Sequence, residues 1–116
     1  MIRFFAVAML AALSATPTHA ALQFRGPTVM QLMDICHREQ PGGYKACSSY
    51  FSGVLEGYTV AQQSGAPKRL CPRAVMIDMD RMIATFLVDV DTKHAVWDND
   101  AGPEVIATAA KFMPCP

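Results

Sequence analysis

The sequence predicts an all-α fold, a compact bundle of four or five short helices stapled by two disulfides. Three observations carry this. Apolar residues recur at intervals of three and four in several separate stretches, the periodicity of helices that bury one face. No stretch alternates apolar and polar residues as a half-buried strand would. All four cysteines, Cys36, Cys47, Cys71 and Cys115, lie beyond a head that reads as an export signal.

In that head, Arg3 supplies a positive start, residues 4–13 form an apolar run, and residues 14–20 form a polar stretch. Thr18 and Ala20 are the small residues flanking a cleavage point after Ala20. The apolar run of about ten residues suits a secretory signal and falls short of the roughly 20 that a membrane-spanning helix needs. The expected organisation is a signal peptide over residues 1–20 and one helical domain over residues 21–116, with no membrane span once the signal is removed. A domain of this size buries a modest share of its surface, so covalent staples matter.

The first helix begins at Thr28, behind Pro27. Gln31 stands three residues on, the arrangement in which hydroxyl and amide side chains satisfy two orphan backbone donors reciprocally. Val29, Leu32, Met33 and Cys36 share one face, and Pro41-Gly42-Gly43 ends the segment. The second helix covers residues 44–63, with Cys47, Tyr50, Phe51, Val54, Leu55, Tyr58 and Ala61 at helical spacing. Gly53 and Gly57 lie one turn apart inside it. Each costs about 1 kcal/mol relative to alanine, which predicts a compensating close approach by a neighbouring helix. Gly65 and Pro67 close the segment.

The third helix is predicted to start after Cys71-Pro72. Val75, Met76, Met79, Met82, Ile83, Phe86, Leu87 and Val90 form its apolar stripe, opposite Asp78, Asp80, Arg81, Thr85 and Asp89. A linker over residues 91–102 leads to a fourth helix opening at Pro103, where a missing N–H needs no partner. Glu104 adds a favourable charge near that N-terminus. Val105, Ile106, Ala109, Phe112 and Met113 make its buried face, and Pro114 stops it.

An even number of cysteines in a small exported chain reads as a disulfide framework, and four allow three pairings. An up-down bundle brings the end of helix one to the start of helix two, favouring Cys36–Cys47. It brings the end of helix four towards the start of helix three, favouring Cys71–Cys115. Zinc is disfavoured, because no Cys-x-x-Cys pair occurs.

The ten basic and ten acidic residues are dispersed. That pattern lacks the clustered Lys and Arg of a nucleic-acid binder. Catalytic constellations are equally absent from the pattern. His37 follows Cys36 directly, but adjacent helical residues point apart, and an oxidised cysteine is no nucleophile. Asp78 and Asp80 do not share a helix face. Asp89, Asp91, Asp98 and Asp100 lack calcium-loop spacing. The expectation is a protein with no enzymatic activity, cofactor or metal.

The stretch Asp89-Val90-Asp91-Thr92-Lys93-His94-Ala95-Val96-Trp97-Asp98-Asn99-Asp100 is the unusual surface candidate, holding the sole tryptophan among acidic groups. Linkers on rigid scaffolds often carry function, and tryptophan is frequent at binding hot spots. Trp97 either anchors a partner or folds back to cap the core.

The string Cys47-Ser48-Ser49-Tyr50-Phe51-Ser52-Gly53-Val54-Leu55-Glu56-Gly57-Tyr58 resembles the Cys-x-x-Tyr-x-x-Gly-Val-x-Asp-Gly core of the Tai/Rap family. These are periplasmic immunity proteins against type VI secretion amidase effectors. Cys71-Pro72, Phe86-Leu87 and Phe112-Met113-Pro114-Cys115 follow in matching order. Glu56 stands where aspartate is usual, and Met113 intrudes into a Phe-Pro-Cys end. The resemblance implies a periplasmic all-helical inhibitor, often a homodimer, that occludes the active-site groove of a peptidoglycan amidase toxin without catalysis. On this reading the toxin contact falls on the linker, with Trp97 as anchor among Asp91, His94, Asp98 and Asp100. The alternative is a periplasmic helical interaction or structural module with no toxin partner.

Overall fold

Four helices, each touching the other three, make up the computed structural model, which describes residues 25–39, 44–72 and 77–116. The signal segment, the Pro41-Gly42-Gly43 stop, and Val75 and Met76 of the third stripe lie outside the described residues. Among the described residues no strand occurs, and no helix is long and apolar enough to cross a membrane.

Helix α1 (Val29–Arg38) starts as its sequence predicts. The Gln31 N–H donates to Thr28 Oγ1 at 3.2 Å, and the Thr28 N–H donates to Gln31 Oε1 at 2.9 Å. Its buried face is Val29, Leu32, Met33 and Cys36. At the other end, the Glu39 carboxylate reaches across to the next helix, accepting from the N–H groups of Ala46 (2.8 Å) and Cys47 (3.2 Å). Helix α2 (Lys45–Gln63) has no side-chain cap from its own N-cap residue, Tyr44. Glu39 supplies that anion instead, where the helix dipole and free N–H groups favour it.

α2 ends in a Schellman motif. The Ala66 N–H donates to Ala61 O and the Gly65 N–H to Gln62 O, and Gly65 takes φ +108°, a left-handed value that favours glycine. The chain then folds back on α2. The Tyr58 hydroxyl donates to Pro67 O at 2.7 Å. The Gln62 amide accepts from the N–H groups of Arg69 and Leu70 and donates to Leu70 O. One side chain thus pairs the backbone of the buried Leu70, a core residue that no periodicity marks.

Helix α3 (Met79–Asp91) begins later than its stripe suggests. Asp78, expected on the helix surface, is the N-cap. Its backbone is extended and its carboxylate accepts from the Arg81 N–H at 3.1 Å, which fixes the start at Met79. The stripe from Met82 to Val90 is buried as predicted. Helix α4 (Ala101–Phe112) begins two residues ahead of Pro103. Proline is tolerated there because the whole first turn lacks intrahelical N–H partners. Thr108, unmarked by the apolar pattern, is buried with Val105 and Ala109.

All four helices contribute to one core, in which Phe51 of α2 and Phe86 of α3 meet edge to face at 5.2 Å between centroids. Leu32, Leu70, Met82, Ile83, Val90 and Val105 pack into the same cluster. Cys36 is bonded to Cys47 and Cys71 to Cys115, the predicted pairing. Cys71, however, lies outside any helix, and its N–H donates to Met113 O at 2.9 Å.

The expected close approach at Gly53 and Gly57 is absent. Both are exposed, and a Cβ built on either meets nothing within 4 Å. The pair lies on the outer face of α2, because Cys47, Phe51, Val54 and Tyr58 claim the inner one. Ala61, assigned to the inner face, is likewise exposed. Gly53→Ala and Gly57→Ala should therefore each stabilise the protein, by up to about 1 kcal/mol. Denaturant unfolding of each variant measures this, and a loss of stability would mean that a neighbour covers this face.

Candidate interaction surface on the α3–α4 linker

The chain between α3 and α4 is tightly tied. Thr92 caps α3 with its N–H on Val90 O, and the Lys93 N–H donates to the same carbonyl. A 3-10 turn follows at His94–Val96, and the Asn99 N–H returns to Val96 O. The last part of the linker then pairs with the entry to α1. The N–H groups of Val29 and Met30 donate to the carbonyls of Asn99 (2.9 Å) and Trp97 (3.1 Å), and the Ala101 N–H donates to Pro27 O (3.0 Å). Thr28 and Asp100 form an antiparallel bridge. The linker carbonyls thereby satisfy donors at the α1 N-terminus that the helix itself leaves open.

The same bracing fixes where the Trp97 side chain sits. Its Nε1–H donates to Val90 O at 2.8 Å, its ring is half-buried against the core, and the His94 imidazole lies over it at 4.2 Å between centroids. Trp97 thus packs as a cap on the core while its ring stays partly exposed. The remaining residues of the predicted set are exposed: Asp91, His94, Asp98 and Asp100. They do not all converge. Asp98 and Asp100 line a shallow hollow of about 470 Å³ with Arg25, Asn99, Pro103 and Glu104. Asp91 instead borders a second hollow with His37, Leu87 and Val88.

Arg25, Pro103 and Glu104 join the surface from outside the stretch that the sequence singles out. They are brought there by the Thr28–Asp100 bridge and by the first turn of α4. Tyr50 of α2 stands behind the surface, its phenol 3.6 Å from a Cβ built on Gly26 and 3.8 Å from one on Gly102. Burial, and then the negative charge of Asp100, raise the Tyr50 pKa above its ordinary value. Both effects oppose the phenolate.

Among the described residues no group of three or more His, Cys, Asp or Glu side chains is placed to hold a metal ion. Cys36 is buried and oxidised, so His37 has no thiolate beside it. The surface presents the carboxylates of Asp98, Asp100 and Glu104 beside a loop tied by backbone hydrogen bonds to the start of α1. The chain matches no protein-family model, no curated protein and no solved structure.

Trp97→Ala should cost about 2 kcal/mol, below the roughly 3–5 of a fully buried aromatic because the ring is half-buried. Thermal unfolding checks this, and an unchanged melting temperature would return Trp97 to the role of a free anchor. Tyr50 predicts a pH effect. Its pKa is higher folded than unfolded, so its contribution is complete below the unfolded value of about 10 and is lost as pH rises through the folded value. Stability should fall above that pH, and Tyr50→Phe should flatten the fall, as read from unfolding curves with tyrosinate absorbance in parallel.

Proposed function

We propose that this protein is a periplasmic immunity protein that binds a type VI secretion peptidoglycan amidase effector and occludes its active-site groove. The observation that carries the reading is the α3–α4 linker, an acidic, exposed loop bolted to the start of α1 on a disulfide-stapled scaffold. Occlusion needs a loop that keeps its shape on entering a groove, since ordering a mobile loop on binding costs affinity. The two disulfides fit an exported protein. The likeness of the 47–58 string and of the later Cys-Pro and Pro-Cys elements to the Tai/Rap pattern supplies the partner class. In this reading Asp98 and Asp100 meet the toxin, His94 and Asp91 flank the contact, and Trp97 holds the loop in shape from behind. The inhibitor performs no chemistry.

The test is a pull-down of the oxidised protein, without residues 1–20, against the product of the adjacent gene. A complex with a peptidoglycan amidase, together with loss of its cleavage activity, is the expected result. Asp98→Ala combined with Asp91→Ala should then weaken the complex about tenfold or more, with the melting temperature held. Absence of an amidase partner would favour a helical interaction or structural module with no toxin. An amidase complex indifferent to these substitutions would move the contact off the linker.

A further inference from the structure

The two disulfides stand in different surroundings. Cys36 and Cys47 are both fully buried, inside the cluster that holds Leu32 and Phe51. The Glu39 carboxylate lies against the same junction, bound to the Cys47 N–H. Cys71 and Cys115 are both partly exposed. Cys71 also borders an open hollow of about 470 Å³ lined by Thr59, Gln62, Gln63, Lys68, Leu70 and Pro72. A small thiol fits such a space, and Lys68 lies on its wall.

We infer that Cys71–Cys115 is a thiol-exchange site of the folded protein, open to a dithiol reductant or a dithiol oxidoreductase, and that Cys36–Cys47 is closed to both. In the exchange, a thiolate of the dithiol attacks one sulfur of the Cys71–Cys115 bond. A mixed disulfide forms and the other cysteine leaves as a thiolate. The second thiol of the dithiol then attacks the mixed disulfide. The dithiol departs as a disulfide, and both cysteines are left reduced, having gained its two electrons.

The fold around the site survives this change. The stretch ahead of α3 stays anchored by the Tyr58 hydroxyl on Pro67, the three Gln62 bonds and the Cys71 N–H on Met113 O. What is lost is the covalent tie between this stretch and the end of α4, beside the apolar surface of Leu55, Val60, Ile77 and Met113. The linker surface abuts the opposite end of α4, a helix length of roughly 18 Å away. The inference therefore does not depend on what the linker binds.

The experiment uses the oxidised protein under native conditions with graded dithiothreitol. Samples are quenched at intervals with N-ethylmaleimide, the labelled cysteines are mapped by mass spectrometry, and helicity is followed by circular dichroism. Cys71 and Cys115 should be labelled at least about tenfold faster than Cys36 and Cys47, because the buried pair must wait for a larger opening of the fold. Helicity should persist after the first pair is reduced. Equal labelling of both pairs, or labelling of all four only as helicity is lost, would overturn the inference. The double variant Cys71→Ser with Cys115→Ser gives a second reading. Folded, it should keep Cys36 and Cys47 protected at the wild-type rate, and rapid labelling there would also overturn it.

Discussion

Two covalent bridges hold a core too small to be generous. In the chain-entropy account, closing the 11-residue and 44-residue separations contributes about 3 and 4 kcal/mol. A domain of this size has a net stability of about 5–15 kcal/mol, so the bridges are comparable to the whole margin. Their placement matters as much as their size. Cys36–Cys47 ties the end of α1 to the start of α2 within the cluster that holds Phe51. Cys71–Cys115 ties the end of α4 to a stretch that would otherwise rest on Gln62 and Tyr58. The rest of the molecule is arranged inside those two constraints.

The α3–α4 linker is the third constraint, and it is made of backbone. Helix termini leave donors without partners, and a helix that enters from an irregular segment must find them elsewhere. Here α1 finds them in the carbonyls of Trp97 and Asn99. The same bonds hold the linker in place and satisfy the Val29 and Met30 N–H groups that the Thr28–Gln31 capping box leaves open. One consequence is that side chains at Asp98 and Asp100 project from a shape set during folding. The inhibitory role proposed above would need this property, since such a loop carries little ordering entropy into a complex.

The outer face of α2 has a different character. Gly53 and Gly57 lie open on it, without the neighbour that their helical cost implied. α2 reaches its partners through Phe51, Tyr50 and Leu55, so its length is maintained by tertiary packing in spite of two weak helix formers. The glycines weaken the helix locally, and the disulfide at one end and the Schellman turn at the other hold it in register.

The all-α class, the capping box at Thr28 and Gln31, the buried stripe of α3 and both cysteine pairings were legible in the sequence. Each depends on local chemistry or on the order of elements along the chain. Helix starts were less legible. Asp78 reads as one more polar residue until its carboxylate is seen on the Arg81 N–H, and the start of α4 at Ala101 falls where its N–H pairs with Pro27 O. In the candidate site, the exposure of Asp91, His94, Asp98 and Asp100 follows from their polarity. The placement of Trp97, the arrival of Arg25 beside Asp98, the separation of Asp91 from that hollow and the openness of Gly53 and Gly57 do not. These were decided by tertiary structure alone, because each turns on which distant segment lies against the residue, and periodicity records only that a face is apolar.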